Sequence, residues 1–504
     1  MHTLTIKLKQ HTPLIHFQHD QDGATLRASE VKPKLDKFIL LSLGMGNFQS
    51  GLNQAKTNGW LVGKGNYPAF DYKVRIEAKE KDEDVMLTVD QKVDSRTRSV
   101  KYITKEFPFL IANMGGKDTE DELMNLSLYN NVTMRIATNH QDLCTFLYSI
   151  VETFFAQNNF GQRQTKGFGS FSVISKQKND EDLKNVEWKS HFKEYYENGT
   201  PLMKFSLNSK DSEFGKQFML FSVMDFYWRC LKSGVNYSKR IVPRNGEGDV
   251  SIRFPERYIK AYLWTYLNTK KDRYTWEKRK IKTELGLETP FPIRDYRDNS
   301  NNAVFARGLM GCPDKYEYRI PQNRFREDRN RNQYKEIVEN RTVNIDNISG
   351  EIDRISSPII FKPIKDGDTV SVYILFDKEL IERLSRLSER ERGFRFSESG
   401  YETSIPIVPE SINYEELIRK YHFYVFTNES FISSTLGEYD ANKWKPAKIV
   451  YSKNGEGKIV SRRWGNTDIS WKMVPRNFRW ENILNPNDNG QNHYVSFSQI
   501  VKTV

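Results

Sequence analysis

Leu4, Ile6 and Leu8 alternate with Thr5, Lys7 and Lys9. This period of two predicts a half-buried strand that Thr12 and Pro13 break. From Leu26 the run LRASEVKPKLDKFILLSL predicts a helix, with Ser29 as its cap and Pro33 tolerated early. Residues 67–78 and 99–111 read as strands or hairpin arms, with solvated turns at 79–84 and 115–122. Val132, Met134 and Ile136 then alternate with polar positions and predict another strand. Asn139 is the expected cap of the next helix, and Asp142 suits its positive first turn. Leu143, Phe146, Leu147, Ile150, Val151 and Phe154 recur at helical spacing up to about Gln157. A glycine-rich loop follows, and a strand resumes at 170–175.

The order is therefore strand, helix, strand, strand, helix, strand, with insertions: the ferredoxin-like or RRM-like plan. The second half restarts in the same way. Residues 176–196 read as a linker or exposed connecting helix. Residues 202–207 are strand-like, and 214–231 form an aromatic-rich helical pattern. Strands at 359–364 and 369–376 meet at the tight-turn pair Asp366-Gly367. Asp377 caps a helix bearing Leu380, Ile381, Leu384 and Leu387 on one face, and 443–480 reads as β-hairpins. The expected fold class is α+β, with tandem ferredoxin-like (RRM-like) domains, antiparallel sheets and large insertions. The first domain is 1–178. The second, insert-rich, is 179–504, with a β-rich C-terminal segment.

Composition adds a partner. The 504 residues carry 77 Lys and Arg against 65 Asp and Glu, a net charge of +12. That excess favours an anion, most often nucleic acid. Cys144, Cys230 and Cys312 lie far apart and form no CxxC pair, against a disulfide framework or a zinc site. The start MHTLTIKLKQ reads as a strand and not a signal peptide, and no apolar run reaches the roughly 20 residues that span a bilayer. The expectation is a cytoplasmic protein with no membrane, metal or cofactor.

The loop at 161–170 carries the candidate chemistry. Gly161, Gly167 and Gly169 permit unusual backbone and close approach of a polymer. Arg163 and Lys166 supply charge, Gln164, Thr165 and Ser170 hydrogen bonds, and Phe168 a ring for stacking or anchoring. These suit phosphate and sugar more than base edges. The loop follows a helix and precedes a strand, which excludes a dinucleotide fingerprint and a P-loop. Exposed N–H groups at the helix near Ser29, with Lys32 beside them, would also attract phosphate. Two further basic stretches stand out. In 253–282 the spacing of Tyr258, Tyr262 and Tyr266 predicts an amphipathic helix that buries its rings. Residues 324–331, with Arg324 and Arg326, read as a mobile RNA-contacting loop. No HEXXH, GxSxG or carboxylate dyad is present.

The stretch GQRQTKGFGSF resembles the glycine-rich loop of the repeat-associated mysterious protein (RAMP) superfamily of CRISPR-associated proteins. TPLIHFQ followed by LRASEVKPKL, and later Arg354-Ile-Ser-Ser-Pro, resemble the large RAMP subunit of type III-B (Cmr) effector complexes. Ala306-Arg-Gly-Leu-Met-Gly-Cys-Pro is similar to its glycine–leucine–proline loop. The resemblance implies a non-catalytic subunit that grips guide RNA or the guide–target duplex. Its partners would be CRISPR RNA, target RNA and other effector subunits. Arg27, Ser29, Lys32, Lys34, Arg354 and the loop residues Gly161, Arg163, Gln164, Lys166, Gly167, Phe168, Gly169 and Ser170 would make the contacts. The alternative is a metal-independent endoribonuclease that processes precursor CRISPR RNA with His16 or His19 as acid or base. Type III backbone subunits cut with a loop aspartate, for which Asp20 and Asp22 are available. A small-molecule enzyme on an α+β frame is the third class; it predicts no salt-dependent RNA affinity.

Overall fold

The computed structural model describes residues 1–15, 25–63, 69–78, 81–85, 89–93, 100–104, 126–179, 181–187, 202–206, 213–236, 242–243, 249–253, 258–259, 261–268, 274–287, 302–328, 333–352, 354–427, 447–453 and 459–466. The chain forms two compact units. The first holds Met1–Asp225 and Ile360–Leu375, and the second Phe226–Ile359 and the chain from Phe376. The expected boundary at 178 falls inside the first unit.

In the first unit, β1 (His2–Gln10), β2 (Tyr72–Ala78), β3 (Val132–Thr138) and β4 (Phe171–Lys178) form one antiparallel sheet. Their order is β4-β1-β3-β2, and the short strand Lys184–Asn185 extends the β4 edge. Residues 176–196 thus supply sheet edge where a linker was expected. The helices are α1 (Ala28–Leu43), α2 (Phe48–Thr57) and α3 (Gln141–Gln157). Leu4, Ile6 and Leu8 of β1 meet Val31, Leu35 and Ile39 of α1, and Leu143, Leu147, Val151 and Phe154 of α3, in one core. That is the consequence of a period-two face laid against two period-3.6 faces. Rings extend the core towards the loop. Phe154, Phe155, Phe160 and Phe171 contact one another with centroids 5.1–6.0 Å apart, and Phe38 joins at 5.5 Å.

Two helix starts differ from expectation. Arg27, not Ser29, occupies the cap position of α1, with no side-chain cap bond. His140, not Asn139, precedes α3. There Asp142 supplies the acceptor, taking the Leu143 N–H at 2.9 Å and the Trp60 indole N–H at 2.8 Å. The charged run at 79–84 contributes the strand Lys81–Val85, paired with Leu126–Tyr129, and is no simple turn. Of 99–111, Val100–Thr104 is a strand; 115–122 lies outside the described residues.

The restart at 202 forms the strand Leu202–Ser206 and the helix Glu213–Lys232. The hairpin Ile359–Asp366 and Thr369–Phe376 turns at Gly367, φ +58°. Leu202–Ser206 pairs antiparallel with this hairpin in a three-stranded sheet. That sheet sorts with the first unit and makes no separate domain.

In the second unit, Lys315–Asp328 and Gln333–Asn347 form a long hairpin that continues through Gly393–Glu398 and Tyr401–Pro406. Asp377 caps the helix Lys378–Ser385, accepting the Leu380 N–H at 2.9 Å. Residues 253–282 are not one amphipathic helix. They divide into short strands and the helices Tyr262–Asn268 and Glu277–Glu284, although Tyr262 and Tyr266 are buried as expected. Ala447–Lys453 and Ile459–Asn466 form a hairpin within the expected β-rich segment.

Candidate nucleic-acid interface

The loop between α3 and β4 divides into two halves. Residues 161–166 are half-buried, and 167–170 are buried. The inner half is an anchor. Phe168 is fully buried and stacks on Phe221, centroids 4.0 Å apart. The Ser170 hydroxyl donates to Pro363 O at 2.7 Å, and its N–H to Thr12 Oγ1 at 2.9 Å. Thr12 Oγ1 in turn donates to Gly167 O at 2.7 Å. Phe168 and Ser170 were expected at the RNA surface. The structure turns both inward, because a ring and a hydroxyl here complete the packing against the returning hairpin and the residues after β1.

The glycines answer distinct demands. Gly161 and Gly169 have φ of +79° and +65°. A Cβ on Gly169 would stand 1.9 Å from Phe160 O, and one on Gly161 2.5 Å from Ile15 O. Both therefore admit backbone at close range. Gly167, φ +91°, would meet only side-chain atoms, at 3.1 Å. Its need is conformational.

The outer half is a short 3-10 turn, Gln164–Lys166. The Gln162 N–H donates to Ile15 O at 2.7 Å, and the Asn159 amide to Gln164 O at 2.7 Å. Lys34 of α1 donates to Asn159 O at 2.7 Å and to the Gln164 side chain. Burial lowers its pKa, and Glu30 opposes that shift. Lys34 was expected to touch RNA; its ammonium instead ties α1 to the loop. Arg163 begins the turn with φ +53°, in the left-handed region. Arg163 and Lys166 bracket the turn, both half-buried.

The start of α1 does not offer an open phosphate cradle. Glu30 lies in the first turn, and its carboxylate accepts the Gly161 N–H. A negative charge already occupies the positive end of the helix dipole. Lys32 spends its donors on both Asp36 oxygens, at 2.9 and 3.2 Å, and on Phe70 O at 3.2 Å, with the Tyr72 ring 4.2 Å away. An ammonium has three donors. Lys32 is thus a structural cation, while Arg27 stays half-buried and Ser29 exposed at the helix start.

A second buried lysine was not read from the sequence. Lys362 of the returning hairpin donates to Asn158 O at 2.8 Å and Phe171 O at 3.0 Å, on either side of the loop. Burial pushes its pKa well down, with Lys34 adding to the shift. A buried histidine, His11, lies 2.8 Å from Ser172 Oγ and accepts the Lys365 N–H at 3.1 Å. Burial, then Lys362, lowers its pKa and keeps it neutral. His16, His19, Asp20 and Asp22 lie outside the described residues.

The candidates from the second half sit in the second unit. Arg354 is exposed, 3.5 Å from Asp314. Its segment adjoins the turn at 306–313 through the Cys312 N–H, which donates to Ile355 O at 2.8 Å. Arg324 and Arg326 are not in a loop: both belong to the strand Lys315–Asp328. Arg326 pairs with Lys335, and Arg324 falls where the register shifts. Among the described residues, no helix is long and apolar enough to cross a membrane.

Two family models match the chain. The Cmr1 N-terminal domain matches residues 1–235, and the Cmr1 C-terminal domain matches 258–437. No curated protein matches. Among solved structures, the chain is similar to one of the type III-B Cmr-beta complex bound to cognate target RNA. Identity is 10%, coverage 83% of this chain and 99% of that chain, and the TM-score 0.34. It is also similar to Cmr1 from Pyrococcus furiosus in its apo form, at 8% identity, covering 80% of this chain and 89% of that chain, TM-score 0.28. The two family models together account for most of the sequence in family order, and the chain belongs to the Cmr1 family of Cmr-type RAMP proteins.

Proposed function

We propose that this chain is an RNA-binding subunit of a cytoplasmic type III CRISPR effector, associated with the other effector subunits. In this reading loop 161–170 grips the backbone of guide RNA or of the guide–target duplex. One observation carries it: Arg163 is held at φ +53° at the head of a turn whose flanks are pinned by hydrogen bonds. A left-handed backbone costs a non-glycine residue about 1–2 kcal/mol. Strain of this kind persists only where its surroundings enforce it, and it gathers at functional positions. Here it places Arg163 and Lys166 at the two ends of one rigid turn. Paired cations on a fixed turn suit phosphate contacts, which position a strand while base pairing reads its sequence. Membership of the Cmr1 family, matched over both parts of the chain, supports a place in such an effector. The interleaved order β4-β1-β3-β2, with helices after β1 and β3, supports a ferredoxin-like (RRM-like) first unit.

The test is RNA affinity of the full chain across a salt series. Arg163→Gln with Lys166→Gln should weaken binding and reduce the log K against log salt slope by about one for each phosphate no longer neutralised. An unchanged slope rejects the loop as the grip.

A further inference from the structure

The second unit buries charges that its own structure leaves unsatisfied. Glu277 opens the helix Glu277–Glu284 and is fully buried. Arg307, in the turn Ala306–Leu309, donates from Nε to Glu277 Oε1, which also accepts the Trp276 indole N–H at 3.1 Å. The guanidinium stands 4.3 Å from the Tyr316 ring centroid and 5.9 Å from that of Trp276. Arg307 Nη2, Glu277 Oε2 and the Tyr316 hydroxyl are buried without a hydrogen-bond partner. Buried polar groups in that condition are rare and call for a reason. Rotating the guanidinium to close a second bond on Glu277 would settle Nη2 and Oε2 together. It would leave the tyrosine hydroxyl and, more importantly, the charge.

Four cations face that one carboxylate: Lys232, Lys278, Lys282 and Arg307. Burial, then neighbouring cations, pushes Lys232 and Lys278 down to about 8. Lys278 faces Lys282, Arg307 and Glu277; Lys232 faces Arg307, Cys312 and Glu277. A cluster with this surplus is complete only with an anion. Beside it lies a cleft of about 180 Å³ lined by Lys232, Arg307, Trp264, Trp276, Leu263 and Leu267. The two indoles stack with centroids 5.8 Å apart.

We infer that this cleft binds the phosphate ester of a nucleotide, with Arg307 and Lys232 on the phosphate, Lys278 adding charge, and the indole pair beside the sugar or base. Phosphate oxygens would accept from Nη2 and the Tyr316 hydroxyl. The cleft is smaller than the roughly 300–1,000 Å³ of sites that enclose a whole small molecule. It therefore takes part of a ligand, either a free mononucleotide or one link of an RNA strand. Nothing in this site depends on loop 161–170.

Calorimetry on the full chain with inorganic phosphate, AMP and a short oligoribonucleotide tests it. Phosphate and AMP should bind. Lys278→Gln, at a half-buried position, should weaken AMP by about tenfold or more, the effect of removing one charge-assisted hydrogen bond. Arg307→Lys keeps the charge but loses the planar fork and should do the same; if that variant fails to fold, Lys278→Gln still decides. Arg163→Gln with Lys166→Gln should leave AMP affinity unchanged, which separates this site from the loop. Displacement of AMP by the oligonucleotide assigns the site to a strand phosphate, and no displacement assigns it to a free nucleotide. Failure of both phosphate and AMP to bind overturns the assignment, as does wild-type AMP affinity in Lys278→Gln.

Discussion

Loop 161–170 and the turn at 306–313 both set an arginine among glycines, and they treat it in opposite ways. In the first, the backbone carries the strain: Arg163 adopts φ +53° and its side chain stays half-buried. In the second, Arg307 has a buried guanidinium, and the tension lies in charges and unmatched donors. The glycines follow suit. Gly169 is fixed by a carbonyl that a Cβ would strike at 1.9 Å, whereas a Cβ on Gly308 would meet the Phe305 ring at 2.6 Å. A glycine–cation motif therefore does not announce its geometry. What surrounds it decides whether the cation is displayed or enclosed.

The largest effect is expected from Gly169→Val. With a carbonyl at 1.9 Å and φ +65°, neither the backbone nor Phe160 O can yield cheaply. A loss of more than about 3 kcal/mol in stability is expected, read as a large fall in Tm. A near-wild-type melt would mean that the loop is not built this way.

A smaller effect concerns the enclosed arginine's neighbours. Folded Lys232 and Lys278 release protons near pH 8, while unfolded lysines hold theirs to 10.5. Above pH 8 the unfolded chain thus binds more protons, and stability rises with pH. Cys312 acts oppositely above its ordinary 9.0, since burial pushes it up to about 12. Thermal melts should therefore climb between about pH 8 and pH 9 and level off beyond. Lys278→Met should flatten the climb; an equally steep one would place its origin elsewhere.

The smallest effect is expected for Arg163→Gly. Glycine accepts the left-handed backbone without penalty, so stability should hold or gain up to about 1 kcal/mol while RNA affinity falls. A clear loss of Tm would show that the arginine side chain, and not the turn, supports the loop.

Much of the first unit was legible because its signals are local. The alternation at Leu4–Ile6–Leu8, the helical run from Leu143 to Phe154 and the Asp377 cap each declare themselves within a few residues. The position of the glycine loop followed from those neighbours. The roles inside it did not. Phe168 meets Phe221 and Ser170 meets Pro363; such distant partners leave no periodic trace, so an inward ring and an outward ring read alike. Lys32 was different. Asp36 stands four residues on, and that spacing alone signals a paired lysine. Arg307 and Glu277 each interrupt an apolar or aromatic run, Phe305–Ala306 and Tyr274–Trp276, which is the mark of an enclosed charge.

The hairpin Ile359–Phe376 also bears on how the chain is made. Lys362 closes the carbonyls of Asn158 and Phe171, and Pro363 receives Ser170. A nascent chain emerging from the ribosome therefore holds its glycine loop incomplete until some two hundred further residues have been added. The displayed arginine is set only late in synthesis, when nearly all of the protein exists.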